Sequence, residues 1–162
     1  MRQSYQLKRS LVFILVAQVI ILAVWAAPYV IAILFGETVY LRARVLDPRD
    51  PFRGDYIVLT FLDLPREATG IRGVRNSGRV FLNFVKEGEI WKPGTLSDQP
   101  PQGLYLTGKV SREYPYYIKW GIEEFFIEEG TGLKFEAAKE LRVTLKLGPG
   151  GVGVLTKVEI VE

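Results

Sequence analysis

Residues 11–35 form an apolar run that contains no charged side chain. Folded as an α-helix that rises about 1.5 Å per residue, this run reaches about 37 Å, which exceeds the roughly 30 Å of a bilayer's hydrocarbon core. A helix buried in a soluble protein is usually much shorter, and one at its surface keeps a polar face. The run is apolar on every face, so we predict a transmembrane anchor over residues 11–35.

The flanks of the run predict its orientation. Arg2, Lys8 and Arg9 precede it, and the acidic Glu37 follows it. The positive-inside rule therefore predicts residues 1–10 as a basic cytoplasmic N-terminus and residues 38–162 as an exported domain of a single-pass cell-membrane protein. A cleaved signal peptide is the alternative, with a passable cleavage site at residues 24–26. The apolar run continues well past that site, which favours a retained anchor.

Charge and composition exclude several functions. Three of the 21 Lys and Arg residues precede the run, so 18 basic residues balance the 18 acidic ones in the rest of the chain. A neutral domain has no general field that would attract nucleic acid. The chain has neither cysteine nor histidine, which rules out disulfides, thiolate or imidazole metal sites and histidine-based triads. We expect no cofactor and no metal, and the composition favours a non-enzyme.

The rest of the chain reads as short strands. Alternating apolar residues or β-branched and aromatic content predict strands at 38–45, 56–62, 79–86, 104–110, 141–147 and 152–161, and a strand pair within 114–127. Proline and glycine predict loops at 63–79 and 92–103. Residues 133–139 are the one plausible short helix beyond the anchor. The predicted fold is mainly β: an N-terminal transmembrane helix, then a compact β-barrel or β-sandwich-like domain with at most one short helix.

One motif at the start of the second predicted strand carries a resemblance. Residues 53–61 read RGDYIVLTF, and they resemble the signature of the GDYXXLXY family of membrane-anchored bacterial proteins. The matching residues are Gly54, Asp55, Tyr56 and Leu59, after Arg53, with Phe61 in place of a final tyrosine. Asp47, Arg49 and Asp50 resemble the family's approach to the motif. A later segment resembles its second, looser signature, an aromatic residue followed by Glu-Gly-x-Gly, with Phe126 as the aromatic and Glu129, Gly130 and Gly132 after it. The resemblance implies a small envelope protein without an established biochemical activity, often associated with multi-pass membrane proteins.

The motif also makes structural sense by itself. Gly54 permits a positive φ at a tight elbow, and Asp55 can accept hydrogen bonds from nearby backbone amides. Arg49 or Arg53 could pair with a carboxylate of Asp50, Asp55 or Glu129. Such pairs hold a turn or line a pocket for a ligand or partner, and both interpretations stay open. Because the first strand starts soon after residue 35, we expect the elbow at residues 47–50 to lie near the membrane surface.

A cluster of glutamates gives the alternative function. Its members are Glu123, Glu124, Glu128 and Glu129. Two carboxylates at suitable separation could hydrolyse cell-envelope glycans, and neighbouring aromatics could stack on sugar rings. This carbohydrate-binding or hydrolytic hypothesis requires two of them to face each other across a cleft lined by Trp120 or Tyr117. The favoured hypothesis is an envelope protein that contacts the lipid bilayer through residues 11–35 and whose exported β-domain binds another membrane protein.

Overall fold

The computed structural model describes residues 2–47, 56–68, 78–111, 117–128 and 130–161, with side chains from residue 10 onward except that of Asp47. A long helix, α1 (Arg2–Phe35), comes first. Nine strands follow in the described ranges: β1 (Glu37–Asp47), β2 (Tyr56–Phe61), β3 (Arg79–Glu87), β4 (Ile90–Ser97), β5 (Tyr105–Val110), β6 (Ile118–Lys119), β7 (Glu124–Phe126), β8 (Leu141–Leu147) and β9 (Gly153–Ile160). The same described ranges also contain a short helix, α2 (Gly132–Ala137), and a 3-10 turn (Pro149–Gly151). The prediction of a mainly β fold behind one long apolar helix is confirmed, and α2 lies in the segment where the short helix was expected, residues 133–139.

Two antiparallel sheets enclose a single core in a nearly closed, barrel-like arrangement. The first sheet has the order β7-β2-β1-β8-β9 and the second has the order β4-β3-β5-β6. Strand β8 illustrates why the sequence folds this way: Leu141, Val143 and Leu145 alternate with polar residues and are completely buried. Alternation turns one face of every such strand inward, because successive side chains point to opposite faces of a sheet.

The segment after β2 joins the two sheets on one side. Leu62 N donates to the carbonyl of Arg42 in the first sheet, at 2.8 Å. Four residues after Leu62, the carbonyl of Arg66 accepts a hydrogen bond at 2.8 Å from Ile118 N in β6 of the second sheet. The next residue, Glu67, forms a bridge with Tyr117. Residues 63–68 thus continue the backbone hydrogen bonding from one sheet towards the other.

The expected loop at residues 92–103 is wrong in its first half, because β4 extends to Ser97. Pro93 is tolerated there since β4 is the edge strand of its sheet and a proline at an edge need not break a ladder. Asn83 adds a local reason: its side-chain oxygen accepts hydrogen bonds from the amide and hydroxyl of Thr95, where the β3–β4 register shifts. The side chain of Asn83 therefore stabilises the bulge in β4.

The aromatic segment at 114–127 also differs from the expected strand pair. It supplies two short strands, but β6 pairs with β5 in the second sheet and β7 pairs with β2 in the first. The chain passes between the sheets at residues 120–123, with Trp120 and Ile122 buried on the way. A segment that crosses between two sheets has the same β-branched and aromatic composition as a hairpin. The sequence pattern therefore could not distinguish a crossing from a hairpin.

The junction between α1 and β1 is a single residue, Gly36. The helix keeps its side chains exposed, but Ala32 in its last turn is completely buried. Lys146 Nζ donates to the carbonyl of Gly36 at 3.2 Å, which satisfies an acceptor at the helix end. The short connection that we expected between the helix and the first strand is therefore present, and the helix end rests on the β-domain.

Candidate functional site

The strand β2 of the GDYXXLXY-like motif has one face in the core and one outside it. Ile57, Leu59 and Phe61 are buried, with 0%, 2% and 5% of their surface exposed. Tyr56 and Val58 are only half-buried on the opposite face. The motif leucine and the phenylalanine at its end are thus core residues, whereas its tyrosine is available to outer neighbours.

Strand pairing brings the two signatures together, although about 70 residues of chain separate them. Tyr56 lies opposite Phe126 on β7, and their ring centroids are 6.4 Å apart at a tilted angle. Gly130 and Gly132 follow β7 directly, leading into α2. The neighbouring pairs, Ile57 with Phe125 and Val58 with Glu124, complete this contact. The sequence signalled each signature separately, and their adjacency is a tertiary result.

Several residues of the predicted site lie outside the described ranges. These are Arg49, Asp50, Arg53, Gly54, Asp55 and Glu129, together with the side chain of Asp47. The elbow at residues 47–50 belongs to this group. It follows the far end of β1, whose eleven residues span about 33 Å from the helix junction.

A different ion pair lies beside the motif strand, and the sequence reasoning missed it. The Asp63 carboxylate accepts hydrogen bonds from the Arg42 backbone amide at 2.7 Å and from its Nε at 3.0 Å. A third contact, from a terminal guanidinium nitrogen of Arg42, measures 2.7 Å. These hydrogen bonds, reinforced by the charge of Asp63, raise the pKa of the Arg42 guanidinium above its ordinary value. Asp63 thereby fixes the exit of β2 against β1.

A cavity of about 210 Å³ opens at the side where residues 63–68 join the sheets. Its walls are mostly apolar and include the motif residues Leu59 and Phe61; the other lining residues are Leu46, Thr60, Leu64, Pro65, Arg66, Tyr117, Ile118, Trp120 and Glu123. We call this space the motif cavity. Its volume exceeds that of several water molecules, at about 30 Å³ each, so it can hold a small ligand or ordered water.

Trp120 is the best-fixed wall of the motif cavity. Its Nε1 donates to the carbonyl of Pro65 at 3.1 Å, and its backbone amide donates to the Glu123 carboxylate. The ring lies against Gly108 of β5: a β-carbon there would come within 2.9 Å of the indole. A glycine in β5 is therefore what lets the indole approach the strand. Sequence reasoning named Trp120 but gave no signal for Pro65 or Gly108 as its partners.

Three of the four candidate glutamates lie in the described ranges, and those three do not converge. Glu123 lines the motif cavity, where its carboxylate binds the Trp120 amide within its own turn. Glu124 is exposed on β7, and Glu128 is exposed beyond that strand. Across the described residues, no group of three or more His, Cys, Asp or Glu side chains is arranged to hold a metal ion.

A second depression lies between β7 and α2. It has a volume of about 310 Å³ and is lined by Phe125, Phe126, Ile127, Glu128, Thr131 and Phe135. We call it the β7–α2 groove. Phe126 is 74% exposed, and Leu133 on α2 is 69% exposed. Phe126, in the wall of the groove, also contacts Tyr56 of the first signature, so that signature lies next to the groove.

Comparison with known proteins places the chain in a family. Searches of curated proteins and of solved structures find no match. The model of one family, described as GDYXXLXY protein, matches residues 18–158, which is most of the chain. The match begins within α1, includes both signatures and the strands β1 to β8, and ends at Val158, near the end of β9. The chain therefore belongs to the GDYXXLXY protein family.

Proposed function

We propose that this chain is a membrane-anchored envelope protein whose exported β-domain is a binding module for another membrane protein. Residues 10–35 form a helix long and apolar enough to cross a membrane, with a mean hydropathy of 2.6. A signal sequence would pass the same test. The basic residues before this apolar segment support a cytoplasmic N-terminus and an exported β-domain.

The helix junction supports a retained anchor. Residues 24–26, the passable cleavage site, lie inside the continuous helix α1. The last turn of that helix rests on the β-domain through the buried Ala32. Cleavage at residue 26 would leave an apolar stub, residues 27–35, fixed to the domain surface, where it would have to find other cover.

The observation that carries the binding proposal is the β7–α2 groove. Among the described strands β7 is at an edge of its sheet, so no other described strand pairs with one side of its backbone. Phe126 exposes 74% of its surface beside that edge. An apolar edge of this kind promotes unwanted pairing unless a partner covers it. A segment of a partner protein that lies along β7 would bury Phe126 and Leu133 together.

The partner that we propose is the exported part of another membrane protein. The groove lies beside Tyr56 at the start of β2. Two residues further along β2, Val58 pairs with Asp47, the last residue of β1. The groove is therefore near the end of β1 that is farthest from the helix. The helix meanwhile exposes apolar side chains along its length, which suits partner helices as well as lipid. A membrane-protein partner would engage both regions of the same chain.

Position-specific photocrosslinking in native membranes tests this proposal. A photoreactive phenylalanine analogue replaces Phe126 in one variant and Ile160 in a control. Ile160 is 43% exposed on β9, the opposite edge of the same sheet. We expect one discrete membrane-protein adduct from position 126 and none from position 160. Phe126→Asp should abolish co-purification of that protein, with only the small loss of stability, about 0.5 kcal/mol, that its contact with Tyr56 implies. Equal labelling at both positions, or an unmodified solitary chain, would contradict the proposal.

A second candidate function is glycan binding in the motif cavity. The observation in its favour is that Glu123, Trp120 and Tyr117 line one space, because carboxylates and aromatic rings are the usual partners of sugars. A single carboxylate there favours binding over hydrolysis by a pair. Titration of the full chain with peptidoglycan fragments tests it. Tyr117→Ala should weaken binding, whereas Tyr40→Ala, similarly exposed on β1, should not. Absence of measurable binding would exclude this function.

A further inference from the structure

The end of the β-domain that joins the helix also carries the β3–β4 hairpin. Trp91 Nε1 donates to the Glu37 carboxylate at 3.3 Å, and Glu37 is only two residues beyond the helix end. The hairpin register pairs Lys86 with Trp91 and Glu87 with Ile90. Trp91 thus lies beside the helix junction, and the hairpin turn at residues 88–89 extends past it by one further residue pair, Glu87 with Ile90.

This hairpin end has the side chains of a membrane–water interface. Ile90 and Val85 are 55% and 50% exposed on its outward face. On the other face Lys86 Nζ lies 5.5 Å from the centre of the Trp91 ring. Tryptophan prefers the headgroup level of a bilayer, and lysine can extend its charge to phosphate while its stem stays apolar. Two exposed aliphatic side chains thus lie at this end of the hairpin, on the face that also carries the Glu87–Lys92 ion pair.

The helix junction fixes the height of this surface. One residue separates α1 from β1, and Ala32 docks on the β-domain, so the domain cannot move away on a linker. The apolar segment has 26 residues and is about 39 Å long as a helix. It is therefore long enough to cross a hydrocarbon core of about 30 Å and to reach the headgroup layer. Groups level with Phe35, itself 80% exposed, therefore lie at the headgroup layer.

We infer that residues 85–92 form a second membrane contact, in which Ile90 and Trp91 enter the lipid headgroup layer and Lys86 meets lipid phosphate. This inference rests on the proposed membrane anchor. The hairpin is a separate feature from the predicted elbow, whose residues 48–50 lie outside the described ranges. The contact would fix the rotation of the β-domain about the helix axis and so determine which face a partner meets.

Site-directed spin labelling of the full chain tests the contact, and the absence of native cysteine makes single labels simple. Three variants are Ile90→Cys, Ile160→Cys and Ile21→Cys, each reconstituted in vesicles of phosphatidylethanolamine and phosphatidylglycerol. All three isoleucines are exposed, in the hairpin, on the distant part of β9 and within the helix. The measurement is nitroxide accessibility to oxygen, which enters lipid, against a nickel chelate, which stays in water.

We expect the label at position 21 to be deep in lipid, the label at 90 at headgroup depth and the label at 160 in water. A label at 90 that matches 160 while 21 remains in lipid would overturn the hairpin contact and leave the anchor intact. A label at 21 that is as accessible to the chelate as 160 would overturn the anchor and the contact with it. Val85→Cys provides a second reporter in the hairpin if the label at 90 impairs folding.

Discussion

Ala32 and Gly148 meet where the helix rests on the turn between β8 and β9. A β-carbon added to Gly148 would lie 2.6 Å from the Ala32 β-carbon. The two residues are 116 positions apart, as 148 minus 32 shows, and both are buried. Small side chains on both partners let the helix backbone approach the barrel closely, as they do between packed helices in membranes.

Gly148→Ala should weaken this docking. The Gly148 backbone is extended, with φ of −100°, so alanine fits its conformation and the penalty comes from the collision alone. Overpacking of this kind costs about 1–3 kcal/mol. Thermal unfolding of the full chain in detergent measures the loss. Gly132→Ala is the control, since its β-carbon would meet only Ile127 at an ordinary 3.8 Å. Equal stability of the two variants would contradict close docking.

Phe61→Tyr restores the family's final tyrosine and should be tolerated. Phe61 lines the motif cavity, which has room for the added hydroxyl and a bound water. We expect a change within about 1 kcal/mol in the free energy of unfolding, measured by urea titration. Phe84→Tyr is the matched control, because Phe84 is equally buried but does not line that cavity. Its hydroxyl should cost about 1–3 kcal/mol, and similar losses in both variants would contradict this account.

Tyr56 and Phe126 should be energetically coupled across the β2–β7 pair. Cross-strand aromatic pairs contribute about 0.2–1 kcal/mol, and the exposure of Phe126 favours the lower half of that range. A double-mutant cycle to alanine measures the coupling. The comparison cycle combines Tyr56 with Tyr105, which packs on Phe81 in the other sheet. That cycle should be additive, and coupling no greater for Phe126 than for Tyr105 would refute the contact.

Trp120→Phe should destabilise the domain through its backbone partner. The substitution removes the Nε1–H and leaves the partly buried Pro65 carbonyl without that donor. The expected loss is about 1–3 kcal/mol in the free energy of unfolding. Trp91→Phe removes a comparable bond to Glu37 that is exposed to water, so its loss in detergent should stay within about 0.5 kcal/mol. The order of the two melting temperatures decides the prediction, and a reversed order would disprove it.

Local patterns were sufficient for most of the elements, with β4 as the clear exception. Strand β8 followed from the alternation of Leu141, Val143 and Leu145, which bury one face. The hairpin of β8 and β9 followed from the glycine and proline turn between them. No strand was predicted where β4 lies, because Pro93 is typical of a loop, and only its place at a sheet edge makes it tolerable. An edge position is a property of the assembled sheet and leaves no local mark.

The sequence by itself determined the apolar helix, the β-rich remainder and the two signatures, because hydrophobic period and turn residues act over a few positions. Tertiary structure decided which of these elements meet. It joined Tyr56 to Phe126, Arg42 to Asp63 and Ala32 to Gly148 across long stretches of chain. Each pair depends on strand order and on the closing of two sheets around one core. Those choices are set by the packing of the whole domain, so no local pattern specifies them.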